Sequence, residues 1–203
     1  EEEERVEVDQ TAYFERVQAS LDPNYLQGRG ISEATQRHYH IGTDPAWINP
    51  IVEERFLREG RTVYPGMKSP RCIIPTSKTS YLARDTRPII PEINKKYQKI
   101  KYGKVHLFGQ SDIQNNSIFA ITEGEIDGMS FYEATNGEVK GVGLGSASNW
   151  RILINYLASN NIRPDGVLLA LDHDEAGIKT KGLIQMSLSA LQIPFTTPFF
   201  SII

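Results

Sequence analysis

Three carboxylates crowd the end of one apolar run. In ITEGEIDGMS, Glu123, Glu125 and Asp127 stand at every second position after the strand-like IFAIT, with Gly124 among them. A second run, GVLLALDHDEAG, ends in Asp172 and Asp174, again two residues apart. Residues two apart on an extended chain point to the same side, so these aspartates face one way and His173 faces the other and is no ligand. Carboxylates gathered this closely repel one another, and a hard cation is the natural remedy. Mg²⁺ takes a few carboxylates, retained waters and a phosphate to complete its octahedron. The chemistry served by such a site is phosphoryl transfer, in which metal ions neutralise the charge of an in-line displacement. Each residue also has an ordinary structural reading. Asp174 would cap the helix opening at EAGIKT, Asp127 would cap the helix after the first run, and Glu125 would face solvent in the turn. Their joint occurrence after two strands of one sheet is what favours a site.

The elements that must position them are legible after residue 115. SIFAIT, VKGVGLG and DGVLLALD read as strands, and DGMSFYEATN, WRILINYLASNN and EAGIKTKGLIQMSLSALQ read as helices. Strand and helix alternate, and the strands are continuously apolar, as strands buried on both faces must be. The fold class is therefore α/β with a parallel sheet. Ligands in such sheets bind beyond the C-terminal strand ends, where Glu123, residues 143–148 and residues 172–174 fall. GVGLGSASN lacks the dinucleotide spacing. It reads either as an ordinary strand-to-helix turn or as a turn bringing Ser146, Ser148 and Asn149 to a helix N-terminus that meets a phosphate.

The front half follows a different grammar. A helix is expected around residues 10–21, ended by Pro23, and a short one after an N-cap at Ser32, running to about Tyr39. Residues 50–60 read as helical or irregular. RTVYP, RCIIPTS, SYLARDT and VHLFG read as short strands of a small mixed sheet with basic edges. The formal charge of −3 conceals an asymmetry: residues 1–54 hold four basic and twelve acidic side chains, residues 55–104 thirteen and three, and residues 105–203 five and ten. A basic middle between acidic flanks suggests a polyanion surface beside a metal site, or simply a solvated lysine-rich face.

Composition narrows the classes further. No apolar run approaches the roughly eighteen residues of a membrane span, and EEEERVEVDQ is the reverse of a secretory leader. One cysteine, Cys72, excludes an internal disulfide and a cysteine-based zinc site. A cytoplasmic protein is expected.

ITEGEIDGMS followed by LLALDHDEAG resembles the two signatures of the TOPRIM domain, Glu-Gly after one strand and Asp-x-Asp after a later one. YLQGRGISEATQRHYHIG, RCIIPTSKTSYLARDT, KKYQKIKYG and VHLFG resemble, in that order, the segments preceding TOPRIM in DnaG-type bacterial primases and phage or plasmid primases. The resemblance implies a Rossmann-like TOPRIM domain over residues 115–203, a basic subdomain over 23–114 and an acidic lead-in with a helix over 1–22. It implies synthesis of short RNA primers on single-stranded DNA from nucleoside triphosphates, with Mg²⁺ or Mn²⁺, in replication of a phage, plasmid or mobile element. Glu123 would be the catalytic acid–base residue, and Asp172 and Asp174 would hold metal with Asp127 supporting. Arg84, Lys96, Tyr97, Lys99 and Lys101 would touch template or nucleotide, with Tyr81, Tyr97 and Tyr102 offering stacking faces. A replicative helicase, fused or separate, is the expected partner. The resemblance also implies a core fragment lacking a zinc module, with the final strand expected at IPFTTPFFSII. The rival readings are a TOPRIM nuclease and a non-catalytic nucleic-acid-binding module.

Overall fold

The computed structural model describes residues 7–90 and 92–197, leaving the start of the acidic lead-in and the last residues of the expected final strand outside. The chain divides into two units, residues 1–29 with 36–104, and residues 30–35 with 105–203.

The first unit opens with α1 (Thr11–Ala19), where the sequence places it, and α2 (Asn24–Gln27). The chain then passes through α3 (Glu33–His38), which is shared between the units. Strand β1 (Gly42–Trp47), helix α4 (Pro50–Arg58), and strands β2 (Ser69–Pro75), β3 (Tyr81–Asp85) and β4 (Lys99–Tyr102) follow. The sheet order is β1-β2-β3-β4 and every pairing is antiparallel, not mixed. RTVYP is not a strand but leads into a 3₁₀ turn at Pro65, and VHLFG contributes only an isolated bridge, Phe108 to Gly143. β1 and β4 are additions to the expected set. β1 admits Pro45 because the register slips between Asp44 and Trp47, inserting an extra residue where no ladder N–H is needed.

One face of this sheet builds the core with α1: Phe14, Val17, Trp47, Ile73, Tyr81 and Ala83, joined by Tyr13, Ile100 and Tyr102. The same face holds a buried row of charge. The register sets Asp44 opposite Arg71 and Arg71 opposite Asp85, all at 6% exposure or less. Burial works against the Asp85 charge, but hydrogen bonds from the Arg87 side chain and backbone, with the charge of Arg71, outweigh it and hold the carboxyl below its ordinary 3.8. A depressed carboxyl contributes stability that is present above the unfolded value and lost as pH falls through the folded one. Asp85→Asn is therefore expected to cost about 3 kcal/mol near neutrality, since it strands Arg71, and to flatten the acid limb of the unfolding curve below pH ~4. Urea titrations across pH check both.

The second unit is wound from β5 (Ile118–Thr122), α5 (Glu125–Ala134), β6 (Val139–Gly143), α6 (Trp150–Ser159), β7 (Gly166–Ala170), α7 (Glu175–Ala190) and β8 (Phe195–Thr196). Its sheet is parallel throughout, in the order β6-β5-β7-β8, with β5 at the topological switch. Phe119, Ile121, Val142, Leu153, Leu157, Val167, Leu169, Ile184 and Leu188 form a continuous core beneath the helices. α5 rests directly on β6 because Gly128 meets Gly141; a side chain at 141 would run into the Gly128 backbone. Ser32 caps as expected, its Oγ accepting from the Thr35 N–H at 3.3 Å. Ser32 also donates through N and Oγ to Glu133 of α5 (2.9 and 2.8 Å), which ties residues 30–35 to this unit.

Candidate active site

Register brings the acidic segments together. Thr122 of β5 lies opposite both Gly143 of β6 and Ala170 of β7, so Glu123 and Asp172 emerge just past the paired ends of neighbouring parallel strands. The turn after β5 is fastened on three sides. Thr122 Oγ1 donates to the Gly124 carbonyl at 2.8 Å, and the Leu144 and Gly145 N–H groups donate to the Thr122 and Glu123 carbonyls at 2.9 and 2.8 Å. Glu123 thus stands on a rigid strand end rather than on a free loop.

Its carboxylate is in an unusual position. Oε1 is enclosed and has no hydrogen-bond partner. Burial raises its pKa, and the charges of Asp172, Asp174 and, more weakly, Asp127 raise it further; a backbone hydrogen bond from Asp172 opposes them. The predicted residues Glu123, Asp127, Asp172 and Asp174 therefore share one electrostatic field. Asp127 is in the first turn of α5, and its carboxylate folds over Gly124, where a side chain would displace it. Glu125 departs from expectation. It opens α5 and is 5% exposed, not a solvent-facing turn residue. A carboxylate in a helix's first turn meets the positive end of the dipole, which favours Glu125 and Asp127 there.

Asp174 is the N-cap of α7, its Oδ1 accepting from the Gly177 N–H at 2.7 Å. Asp172, His173 and Asp174 are all exposed. Gly177 is required by proximity: a side chain there would collide with the Asp172 carbonyl and come within 3.0 Å of Glu123 Oε1. Among the described residues no group of three or more His, Cys, Asp or Glu side chains is placed to hold a metal ion by itself. The donor set nevertheless fits Mg²⁺ in kind, since that ion is bound through one or two carboxylates and keeps waters and substrate phosphates for the rest. In the turn after β6, Gly145 adopts φ 69°, the Ser146 and Ser148 hydroxyls pair at 3.0 Å and Asn149 Nδ2 donates to the Leu144 carbonyl at 2.9 Å.

The other predicted residues belong to the first unit. Arg84 of β3 is directly opposite Lys99 of β4, and Leu82 is opposite Lys101, on the sheet face away from the α1 core. Lys96 and Tyr97 end the 3₁₀ turn before β4, with Lys96 Nζ 4.7 Å from the Tyr97 ring centre. Tyr97 is 48% exposed. Tyr81 is not a stacking face: it is 2% exposed and its hydroxyl accepts from the Trp47 indole at 3.2 Å. Tyr102 is half-buried, stacked on Tyr81 at 5.1 Å.

Residues 120–196 match a family described as Toprim-like, which is the class that this sheet and its acidic strand ends define. No curated protein matches the sequence. Over nearly its whole length the chain has the fold of primase catalytic cores. It is 16% identical to the Aquifex aeolicus primase zinc-binding and RNA polymerase domains (TM-score 0.59), covering 93% of this chain and 53% of that one. It is 19% identical to the primase fragment of the bacteriophage T7 primase-helicase protein (TM-score 0.59), covering 86% and 63%. It is 16% identical to the DnaG catalytic core (TM-score 0.59), covering 95% and 71%. The chain thus spans between half and two thirds of the first two. No helix among the described residues is long and apolar enough to cross a membrane.

Proposed function

We propose that this chain is the catalytic core of a DNA primase, joining nucleoside triphosphates into short RNA primers on single-stranded DNA. The observation that carries the reading is Glu123: an enclosed, unpartnered carboxylate oxygen at a parallel strand end, facing the charges of Asp172 and Asp174. A group so placed gains from accepting a proton, which suits it to deprotonate an attacking 3′-hydroxyl. Asp172 and Asp174, with Asp127 supporting, would hold Mg²⁺ or Mn²⁺, which when bound supplies charge neutralisation for the displacement. Arg84, Lys99 and Lys101 follow a template backbone while Tyr97 stacks on a base and Lys96 adds charge. A helicase partner and service to a phage, plasmid or mobile element are part of the same proposal, suggested by the sequence signatures; a cytoplasmic setting accords with it.

Labelled nucleoside triphosphates, end-labelled single-stranded template and Mg²⁺ or Mn²⁺ are to be incubated with the protein and with Asp172→Asn. New short RNA, absent with the variant, is the expected result. Shortened template without new RNA would instead identify a nuclease, and template retention with neither would identify a binding module. In the same assay Gly177→Ala is expected to lose about 100-fold in rate, because the new side chain displaces the Asp172 backbone and crowds Glu123, and about 1–3 kcal/mol of stability from overpacking, read by thermal melting.

A further inference from the structure

The exposed strip that the proposed function uses for template is anchored by a side chain that cannot reach the template. Arg71 is 4% exposed, on the core face of β2. Its Nη1 donates to the Tyr97 carbonyl at 2.7 Å and the Gln98 carbonyl at 3.2 Å, and its Nε donates to Ser69 Oγ at 2.9 Å. The guanidinium is oriented by Asp85 (3.6 Å) and by the Trp47 ring, 5.0 Å from its centre. Asp85 is itself held by Arg87, and its backbone N–H donates to the same Gln98 carbonyl at 2.9 Å.

Residues 97 and 98 are where a 3₁₀ turn gives way to β4. A turn of that kind is short and weakly bonded. The carbonyls of Tyr97, its last residue, and of Gln98 just beyond it are instead both fixed by Nη1 of one guanidinium. A stacking platform binds a base well only if its ring is already in place, since ordering it during binding costs affinity. We infer that Arg71 is a positioning residue for single-stranded template, setting Tyr97 and Lys96 through the backbone that carries them. The inference rests on the template reading of that strip. A lysine does not reproduce the anchor, because one ammonium cannot meet Ser69, the two carbonyls and Asp85 together as Nε, Nη1 and Nη2 of the rigid guanidinium do.

A double-mutant cycle on the full chain tests it, with binding of a short fluorescein-labelled oligothymidylate followed by anisotropy below every variant's melting temperature. Arg71→Met is expected to weaken binding about tenfold, the worth of one stacked base. In a Lys96→Ala/Tyr97→Ala background the same change is expected to add nothing, because the strip it positions is gone. Should Arg71→Met not fold, Arg71→Lys carries the test, keeping a charge beside Asp85 while losing the fork. Equal losses in both backgrounds, or no loss in the folded variants, would overturn the inference. Undiminished binding by Lys96→Ala/Tyr97→Ala alone would overturn the template reading itself, and the inference with it.

Discussion

Glu123→Gln is expected to abolish primer synthesis and yet to make the metal-free protein more stable at neutral pH. Loss of a general base costs about 10²–10⁴-fold in rate. The stability gain has a separate origin. The Glu123 carboxyl has a raised pKa in the folded chain, from burial first and then from Asp172 and Asp174. The folded state therefore holds its proton more tightly than the unfolded one, and stability falls as pH rises from the ordinary 4.5 through the raised value. Above that window the ionised side chain is a net cost, with one oxygen unpartnered. Glutamine carries no charge, so it escapes both the burial cost and the repulsion from Asp172 and Asp174. A gain of about 1 kcal/mol, or a Tm higher by about 2–4 °C, is expected in chelator at pH 7, disappearing as pH falls through the window. Scanning calorimetry with a primer assay reads both halves. A variant less stable than the parent at pH 7 would mean that Glu123 is held for structure rather than for chemistry.

The second unit was readable because its physics is local. Strands covered on both faces must be continuously apolar, and IFAIT and GVLLA are, so their helices, their order and the acidic positions beyond them follow. The first unit was less so. β1 contains Asp44 and Pro45, which read as a break until the bulge and the partner Arg71 across the sheet are known. β4 alternates Lys99 and Lys101 with Ile100 and Tyr102, a strand period too short to outweigh its lysines. Tyr81 looked available because nothing in SYLARDT reveals that α1 covers that face. Arg71 within RCIIP carries a fainter signal: an arginine inside an apolar strand run calls for acidic residues facing it from neighbouring strands, as Asp44 and Asp85 do. Such pairings depend on contacts distant in sequence, which no local pattern records.

Lys99→Glu is expected to strengthen the first unit and to cripple its hold on single-stranded DNA. Arg84 and Lys99 are direct neighbours across the β3–β4 ladder, on one face of the sheet. Like charges so placed destabilise a sheet, whereas opposite charges contribute roughly 0.2–1 kcal/mol. Folding alone would favour an acid at either position. A chain that keeps two cations there, flanked by Lys101 on β4 and Lys96 and Tyr97 just before it, suits an anion spread along the strip better than it suits its own stability. Lys99→Ala is expected to lower the slope of log affinity against log salt by about 0.7, one phosphate contact on a single strand. Lys99→Glu removes that contact and draws Arg84 into an ion pair, so the slope is expected to fall by about 1.4 and the affinity by about 10–100-fold, while the unit melts higher. Anisotropy at several salt concentrations beside a thermal melt measures both quantities on one sample. If the slope stays at the parental value, these lysines belong to a solvated face, and the proposed template strip is wrong.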